Sequence, residues 1–291
     1  MRVDPPPCTL VCRDRVIAFP RRPLIMGIVN INDDSFSGDG TLDVRQALEA
    51  ARKMVGQGAD IIDVGAESAR TNRTAISVEE ELDRLRPFVR AFADTFLEPP
   101  LLSINTWRPE VARGILPDGG DILNDMGGLP TDENARICAD FGAALLIMHS
   151  VGEPKVPHFE VQWDDPIRSL CEFFEQKLAL AAAAGLSESA TILDPGIDFA
   201  KQRDANLTIY AELGKLVDFQ RPVLVPVSRK TVIGDVLGIA DPTQRDAGTI
   251  ACLVAAQLRG ASIFRVHNVA AAAQAVKILN YFGGCQLEKS L

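Results

Sequence analysis

Short apolar runs alternate with longer amphipathic stretches along almost the whole chain. Most of the short runs are too uniformly apolar for a sheet with one wet face, and this is typical of buried parallel strands. The pattern predicts eight strands: Leu24–Asn30, Asp60–Gly65, Leu101–Asn105, Asp121–Asp125, Ala144–His149, Thr191–Pro195, Val223–Ser228 and Ser262–His267.

Between these strands the apolar residues recur with the period of a helix. Asp43 is a plausible N-cap and Gly58 a plausible stop for a helix whose apolar face holds Val44, Ala47, Leu48, Ala51, Met54 and Val55. Ser77-Val-Glu-Glu80 has the spacing of a capping box. Further helices are predicted over Pro166–Ala184, Ile250–Leu258 and Val269–Leu279.

The repeated strand–helix order predicts an α/β fold, a (β/α)8 TIM barrel in a single domain over residues 23–291. Residues 1–22 are expected to form an N-terminal extension, either a strap or a small hairpin. The alternative architecture is an open doubly wound sheet. No GxGxxG follows the first strand, which counts against a dinucleotide-binding version of it.

Composition narrows the function classes. With 47% hydrophobic and 24% charged residues, the 291-residue chain is typical of a globular protein. No apolar run reaches the roughly 18 residues of a membrane span. The net charge of −9 argues against a nucleic-acid partner. Six scattered cysteines without zinc-ligand spacing, and no signal-peptide pattern, favour reduced thiols in the cytoplasm.

Two basic clusters, Ser228-Arg229-Lys230 and Arg265-Val266-His267, each follow an apolar run. Because the carboxyl ends of parallel strands meet at one rim of a barrel, we expect these clusters to lie close together. The protein as a whole is acidic, so the positive charge of these two clusters is a local feature of the rim. The clusters therefore predict a pocket for an anion of the phosphate type.

The other predicted strands also end in polar groups. Asn30, Arg265 and His267 are predicted to bind a phosphate and its metal ion, because an amide oxygen suits Mg²⁺ and arginine offers a forked pair of donors. A flat, nitrogen-rich ring is predicted to face Asn105, Asn124, Asp194 and Lys230. Simpler interpretations stay open: Asp63 pairing with a lysine, His149 serving only in packing, and Asn124-Asp125 capping a turn.

Two long loops, Ile31–Leu42 and Ala66–Ile76, follow the first two strands. The first is rich in glycine and small polar residues, which predicts a mobile lid. Lids of this kind exclude water from a reactive intermediate.

The motifs as an ordered set resemble the dihydropteroate synthase family, from about residue 24 to the C-terminus. They are Met26-Gly-Ile-Val-Asn30, Asp34-Ser-Phe-Ser37, Asp60-Ile-Ile-Asp-Val-Gly65, Glu67-Ser68, Leu123-Asn-Asp125, Met148-His149, Leu193-Asp-Pro-Gly196, Phe199, Ser228-Arg-Lys230 and Arg265-Val-His267.

The resemblance implies a folate-pathway enzyme that joins a dihydropterin hydroxymethyl pyrophosphate to p-aminobenzoate and releases pyrophosphate. It implies Mg²⁺ as cofactor, with Asn30 as metal ligand, and a homodimer formed through the last helices. Lys230, Asp194 and Arg265 would be catalytic. The pterin would be held by Asn105, Asn124, Asp194, Lys230 and Met148, the pyrophosphate by Asn30, Arg265 and His267, and the amine by Ser68, Arg70, Phe199 and Thr231.

Departures from the family pattern lie mostly in the amine half. Asn105 replaces the usual aspartate, Ala69 removes a hydroxyl group, and Asp198 and Ala200 stand where the family has glycines. An acidic Asp198 is expected to repel the carboxylate of p-aminobenzoate, unless it turns away and pairs with Lys201. Two alternative functions remain: a weak or inactive pterin-binding paralogue, and a pterin-dependent methyltransferase domain, which has no use for the cationic clusters.

Overall fold

An antiparallel hairpin precedes the main sheet. The computed structural model describes residues 3, 5–32, 40–68, 74–156, 158 and 160–282. Within them, strand β1 (Cys8–Cys12) pairs with β2 (Arg15–Phe19) from Cys8 opposite Phe19 to Cys12 opposite Arg15. The hairpin that was one of the two predicted forms of the N-terminal extension is therefore present. The domain boundary after residue 22 stays a prediction.

Eight parallel strands form the frame of the structure in the order β8-β7-β6-β5-β4-β3-β10-β9. Leu193 on one edge forms a parallel bridge with Val223 next to the other, so the sheet is a nearly closed barrel. The predicted TIM barrel is confirmed. The strands are β3 (Leu24–Asn30), β4 (Ile61–Gly65), β5 (Leu101–Asn105), β6 (Ile122–Asp125), β7 (Ala144–Met148), β8 (Thr191–Asp194), β9 (Leu224–Val225) and β10 (Ile263–Val266).

The described helices alternate with the strands and follow the predicted signals. Asp43 caps the first helix by accepting from the Arg45 amide at 2.9 Å, and Ser77 caps the second by accepting from the Glu80 amide at 3.1 Å. The described helices are α1 (Val44–Gly56), α2 (Val78–Phe92), α3 (Pro109–Ile115), α4 (Glu133–Phe141), α5 (Pro166–Ala183), α6 (Arg203–Glu212), α7 (Gly214–Val217), α8 (Thr231–Leu237), α9 (Asp246–Gln257) and α10 (Val269–Phe282), with single 3-10 turns at Ala93–Thr95, Glu188–Ala190 and Pro242–Gln244.

Val223 forms an isolated bridge with Leu193, and strand β9 itself contains only Leu224 and Val225, so it is much shorter than the predicted Val223–Ser228 run. Pro222 and Pro226 flank this pair. Proline has no backbone N–H to donate to a ladder, so it limits a strand inside a sheet. The run still reaches the rim, where it delivers Ser228, Arg229 and Lys230.

The barrel interior is apolar at the end where the strands begin. Alternate strand residues point inward, and here they meet Leu10, Cys12 and Phe19 of the hairpin in one buried cluster. The hairpin thus closes this end of the barrel, and the inward-facing polar residues lie toward the other end. The inward residues of this cluster are Leu24, Met26, Ile61, Leu101, Ile122, Ala144, Leu146, Met148, Ile192, Leu224 and Ile263.

A second apolar layer separates the barrel from its helices. The outward strand residues, such as Ile62, Ile104 and Leu145, pack against buried helix residues that include Leu85 and Phe174. This layer fixes the strands and so the positions of the polar groups at the rim. Among the described residues, no helix combines the length and apolarity that a bilayer crossing needs.

Candidate active site

The inward-facing positions change from apolar to polar toward the carboxyl ends of the strands. On β4, for example, Ile61 is followed two residues later by Asp63, and on β8 Ile192 is followed by Asp194. Asp63, Asn105, Asn124 and Asp194 are all buried. A strand repeats its facing every second residue, so these side chains converge on the open end of the barrel.

Asp63 is the centre of this polar layer, and it is fully buried. Its carboxylate accepts hydrogen bonds from Ser103 Oγ at 2.6 Å and from Arg265 Nε at 2.7 Å. It also accepts from Asn124 Nδ2 at 3.2 Å and, more weakly, from Asn105 Nδ2 at 3.4 Å. The predicted pairing with a lysine is therefore wrong: the cation is an arginine more than two hundred residues away in the sequence.

Asp63 also fixes which way two amide groups point. Because a carboxylate accepts but cannot donate, both asparagines must turn their NH₂ groups toward it. Asn105 Oδ1 then lies buried without a partner among the described residues. A buried acceptor left unpaired costs about 1–3 kcal/mol. This oxygen is thus suited to a ligand that brings an N–H donor.

Asp194 is a second buried carboxylate at the rim, and its Oδ1 accepts from the Gly196 amide at 2.7 Å. Burial raises the pKa of Asp194 to about 6, although the Gly196 amide and the nearby Lys230, Arg265 and Lys201 act in the opposite direction. A buried carboxylate beside several cations can hold paired N–H donors of a ring edge.

Lys230 lies over the loop that follows β8. Its Nζ donates to the Ile197 carbonyl at 3.0 Å and lies 5.0 Å from the centre of the Phe199 ring. Burial lowers the pKa of Lys230, while Asp198 and Asp194 act to raise it. The structure therefore brings together Lys230, Phe199 and Asp194, as the sequence predicts.

The two basic clusters are adjacent, since His267 Nδ1 lies 2.8 Å from Ser228 Oγ. Their positive charge is smaller than their composition indicates. Arg229 Nε binds Asp246 at 2.8 Å, and Arg265 is paired with Asp63 through Nε. The other guanidinium nitrogens of Arg265 have no hydrogen bond to the described residues, and they remain a donor pair for an anion.

Arg245 braces the first basic cluster, a role that the sequence analysis missed. This buried arginine donates to the carbonyls of Arg229 at 3.1 Å and Lys230 at 3.2 Å. Arg229 itself has a positive φ of 58°, which L residues adopt at a cost. The brace holds this turn in place, and with it the direction in which Lys230 leaves the backbone.

Asp198 is bound by two backbone amides of the chain and not by Lys201. Its carboxylate accepts from the backbone amides of Thr231 and of Val232, the latter at 3.3 Å. The alternative pairing with Lys201 is wrong, because Lys201 Nζ instead contacts His149 Nδ1 at 2.9 Å and the Gly196 and Phe199 carbonyls at 2.9 and 3.0 Å. Repulsion of a substrate carboxylate stays a prediction.

The buried Lys201–His149 pair lies directly behind this loop. Burial lowers the pKa of Lys201 to about 7. Burial and the adjacent Lys201 lower the pKa of His149 to about 2, so the imidazole is neutral and its Nδ1 accepts. His149 also packs against the rings of Phe173 and Trp163, at 4.7 and 5.4 Å between centroids. The packing interpretation of this histidine agrees with these contacts.

A buried charge cluster holds both flanks of the second long loop. Arg108 Nη1 binds Glu67 at 2.5 Å and also contacts Glu81. Lys155 Nζ binds Glu67 at 2.7 Å and the Thr74 carbonyl at 3.2 Å. Sequence analysis missed this cluster, because its members come from four separate segments. The only advance signal was an acidic residue directly after a strand.

The remaining predicted residues lie at or near the ends of strands and helices, cap a turn, or fall outside the described residues. Asn30 ends β3, Met148 ends β7 in the apolar interior, and Thr231 begins α8; Ser68 is half-buried just after β4. Asp125 accepts from the Gly127 amide at 2.8 Å and so caps a turn, whereas Asn124 faces Asp63. Arg70, with Ala69 and Thr71, and residues 33–39 of the first loop lie outside the described residues.

Within the described part of the chain, no three or more histidine, cysteine or acidic residues are grouped so as to hold a metal ion. Among the described residues, an amide oxygen such as Asn30 Oδ1 is a candidate ligand for a cation at this rim, together with oxygens of a bound substrate. Mg²⁺ is commonly bound in this way, with few protein ligands and several phosphate oxygens.

Asp63→Asn tests the central role of this carboxylate. The variant leaves the charge of Arg265 without its partner carboxylate. It also places a new amide NH₂ group against the NH₂ groups of Asn105 and Asn124. We therefore expect the free energy of unfolding, measured by urea titration, to fall by about 3 kcal/mol. Asp60→Asn is the control, because Asp60 pairs with the half-exposed Arg22 at the opposite end of β4. It should cost about 1 kcal/mol. Equal losses in the two variants would contradict the central role.

Lys201 predicts a pH dependence of stability. Its pKa of about 7 in the folded chain lies below the ordinary value of about 10.4. The unfolded chain therefore holds a proton that the folded chain releases, and stability rises between these two pH values. We expect the free energy of unfolding of the wild type, minus that of Lys201→Met, to rise by up to about 1.4 kcal/mol per pH unit. Parallel pH profiles would refute this.

Comparison with known proteins agrees with this geometry. Residues 26–267 match the family profile described as pterin binding enzyme. A dihydropteroate synthase of Escherichia coli (strain K12) is 36% identical over 258 residues, which cover 88% of this chain and 90% of that protein. A solved Yersinia pestis dihydropteroate synthase with a sulfonamide drug superposes with a TM-score of 0.88 at 34% identity, covering 96% of this chain and 100% of that one.

A second structure, Xanthomonas albilineans dihydropteroate synthase with 4-aminobenzoic acid, superposes with a TM-score of 0.85 at 32% identity, covering 97% of this chain and 100% of that one. The matches extend over most of the chain, and the matched range 26–267 contains the carboxyl end of every barrel strand. The chain therefore belongs to the pterin-binding enzymes and, within them, to the dihydropteroate synthase family.

Proposed function

We propose that the chain condenses 6-hydroxymethyl-7,8-dihydropterin pyrophosphate with p-aminobenzoate or a related amine, releases pyrophosphate, and so acts in folate biosynthesis. One observation carries the proposal. The rim combines two kinds of group: buried hydrogen-bond acceptors, Asn105 Oδ1 and Asp194, and the cations Arg265 and Lys230, both of which lie near Asp194. This combination matches a substrate with a ring rich in N–H donors and an anionic leaving group.

The pterin half of the site consists of groups with defined hydrogen-bonding roles. Asp194 and Asn105 accept from the N–H groups of the ring, and Lys230 donates to a ring oxygen or nitrogen. Asn124, held by Asp63, and Met148, in the apolar interior, complete the ring site. Because these side chains are already held by the protein, binding requires little reorganisation.

The diphosphate half consists of Arg265, His267 and Asn30. Arg265 is oriented by Asp63 through Nε, and its terminal nitrogens can bind two phosphate oxygens. The C–O bond to the exocyclic methylene breaks, and the electron pair leaves with pyrophosphate. The amine then donates its lone pair to the resulting carbocation and loses a proton. Fixed charges at both ends of the breaking bond lower the barrier.

The amine half consists of Phe199, Thr231 and Ser68 among the described residues, together with Arg70. Phe199 offers an aromatic face next to Lys230, so an arylamine can stack there while its nitrogen approaches the methylene.

Mg²⁺ is the cofactor that we propose for this reaction. The residues fit it, because Asn30 at the end of β3 supplies an amide oxygen and the substrate diphosphate supplies the remaining anionic ligands. When bound, the ion neutralises charge that accumulates on the leaving diphosphate.

We also propose a homodimer. Exposed apolar side chains recur on the last helices, with Ile278, Tyr281 and Phe282 on α10 and Val236 and Leu237 on α8. Apolar surface of this kind is typical of a contact between subunits. The cytoplasmic location stays a prediction from the sequence.

A non-catalytic pterin-binding paralogue is the second candidate, favoured by Asn105, where the family usually has an aspartate. It has the same pterin half but forms no product with any amine. The methyltransferase alternative finds less support, because relatives that match most of this chain are named dihydropteroate synthases.

Turnover by the wild type separates the first two candidates, and turnover by Lys230→Ala tests the assignment of the catalytic lysine. We expect pyrophosphate release from dihydropterin pyrophosphate with Mg²⁺ and p-aminobenzoate to fall by about 100-fold, because a positioned charge is lost at the reacting centre. Lys53→Ala on the exposed face of α1 is the matched control and should leave turnover unchanged. Undiminished turnover in Lys230→Ala refutes the assignment. Wild-type protein that binds pterin without forming product supports the paralogue.

Asn30→Ala tests the metal site independently of turnover. Calorimetric titration of inorganic pyrophosphate should show tighter binding when Mg²⁺ is added to the wild type. In the variant we expect the Mg²⁺ concentration needed for half of this effect to rise by about tenfold. If the Mg²⁺ dependence is the same in both proteins, Asn30 is not a ligand.

A further inference from the structure

The loop after β8 contains an aspartate that is held rigidly in an unfavourable backbone conformation. Asp198 has φ 69° and Ala200 has φ 51°, both in the left-handed region. Residues other than glycine seldom adopt this region, although aspartate and asparagine tolerate it better than most. An acidic side chain kept at such a position indicates that the carboxylate contributes something that glycine would not.

Asn206 locks this carboxylate from behind. Its side chain, 1% exposed, donates to Asp198 Oδ1 at 3.1 Å and to the Lys201 carbonyl at 3.1 Å. Its own oxygen accepts from the Asp198 amide at 3.0 Å. Asp198 is thus held through both its backbone and its side chain, and the carboxylate cannot swing away without breaking these bonds.

In front, the carboxylate accepts from the backbone amides of Thr231 and Val232. These amides directly follow Lys230 in the chain, and Phe199 directly follows Asp198. The carboxylate is therefore bound to the backbone of Thr231, and its own residue adjoins Phe199 in the chain; both of these residues are assigned to the amine. It also takes up two backbone donors that face this region.

We propose that Asp198 is a specificity-determining residue for the amine substrate, and that it selects arylamines whose far end is uncharged over arylamines that carry a carboxylate. The proposal rests on the proposed function and deepens it. A substrate carboxylate bound here would meet the negative charge of Asp198 and would find the Thr231 and Val232 amides already occupied. A neutral carboxamide meets neither obstacle.

Two substitutions separate the effect of the negative charge of Asp198 from the effect of its hydrogen bonds to the Thr231 and Val232 amides. Asp198→Asn keeps the size, tolerates the positive φ and retains an oxygen for the amides, but it removes the charge. Asp198→Gly relieves the backbone and leaves both amides available to a ligand. Asp204→Asn on α6 is the control, because this aspartate is 83% exposed and forms an ion pair with the neighbouring Arg203.

The measurement is kcat/KM for p-aminobenzoate and for p-aminobenzamide, which differ mainly in charge, with saturating dihydropterin pyrophosphate and Mg²⁺. For the wild type we expect the carboxamide to be at least as good a substrate. The ratio of p-aminobenzoate to p-aminobenzamide should rise by about tenfold in Asp198→Asn and by about tenfold again in Asp198→Gly. It should stay constant in Asp204→Asn.

Ratios that agree within twofold among the wild type and both Asp198 variants overturn the proposal. If no amine is turned over by any variant, the proposed function fails instead. In that case calorimetry measures the affinity of each variant for the same two amines in the presence of dihydropterin pyrophosphate. The ratio of the affinity for p-aminobenzoate to that for p-aminobenzamide then tests the proposal in place of the kcat/KM ratio. Thermal unfolding identifies any variant that does not fold, and the other Asp198 variant then carries the test.

Discussion

The buried carboxylate of Asp63 is the constraint on which the open end of this barrel depends. It binds Ser103, Asn105, Asn124 and Arg265, which come from β5, β6 and β10. These strands lie on both sides of β4 in the sheet, so a single acidic group sets the directions of donors across half of the rim. Arg265 in turn balances its charge. The site is organised before any ligand arrives, as electrostatic catalysis requires.

The sequence predicted the barrel and the rim well, because both follow from local patterns. Uniformly apolar runs mark buried parallel strands, and a polar residue at the end of such a run marks the rim. Asp194 and Lys230 were expected to lie together, and Lys230 does lie near Asp194 as well as near the Phe199 ring. The shortening of β9 also has a local cause in Pro222 and Pro226, although the apolar run concealed it.

The partners of each polar group could not be predicted, because they depend on contacts distant in sequence. One interpretation left open had Asp63 bound to a lysine, but it binds Arg265, and Asp198 binds backbone amides of α8 rather than Lys201. Arg245 and the cluster of Arg108 with Glu67 and Glu81 resemble ordinary surface charges in the sequence, yet the fold buries them. Periodicity predicts which side chains face inward but not which of them bind one another.

The most direct test of this account is a crystal structure of the protein with dihydropterin pyrophosphate. We predict that Asn105, Asn124 and Arg265 keep their hydrogen bonds to Asp63, that the ring donates to Asn105 Oδ1 and Asp194, and that the diphosphate contacts the terminal nitrogens of Arg265. A ring bound elsewhere, or an Arg265 that leaves Asp63 to reach the ligand, would contradict the preorganised site.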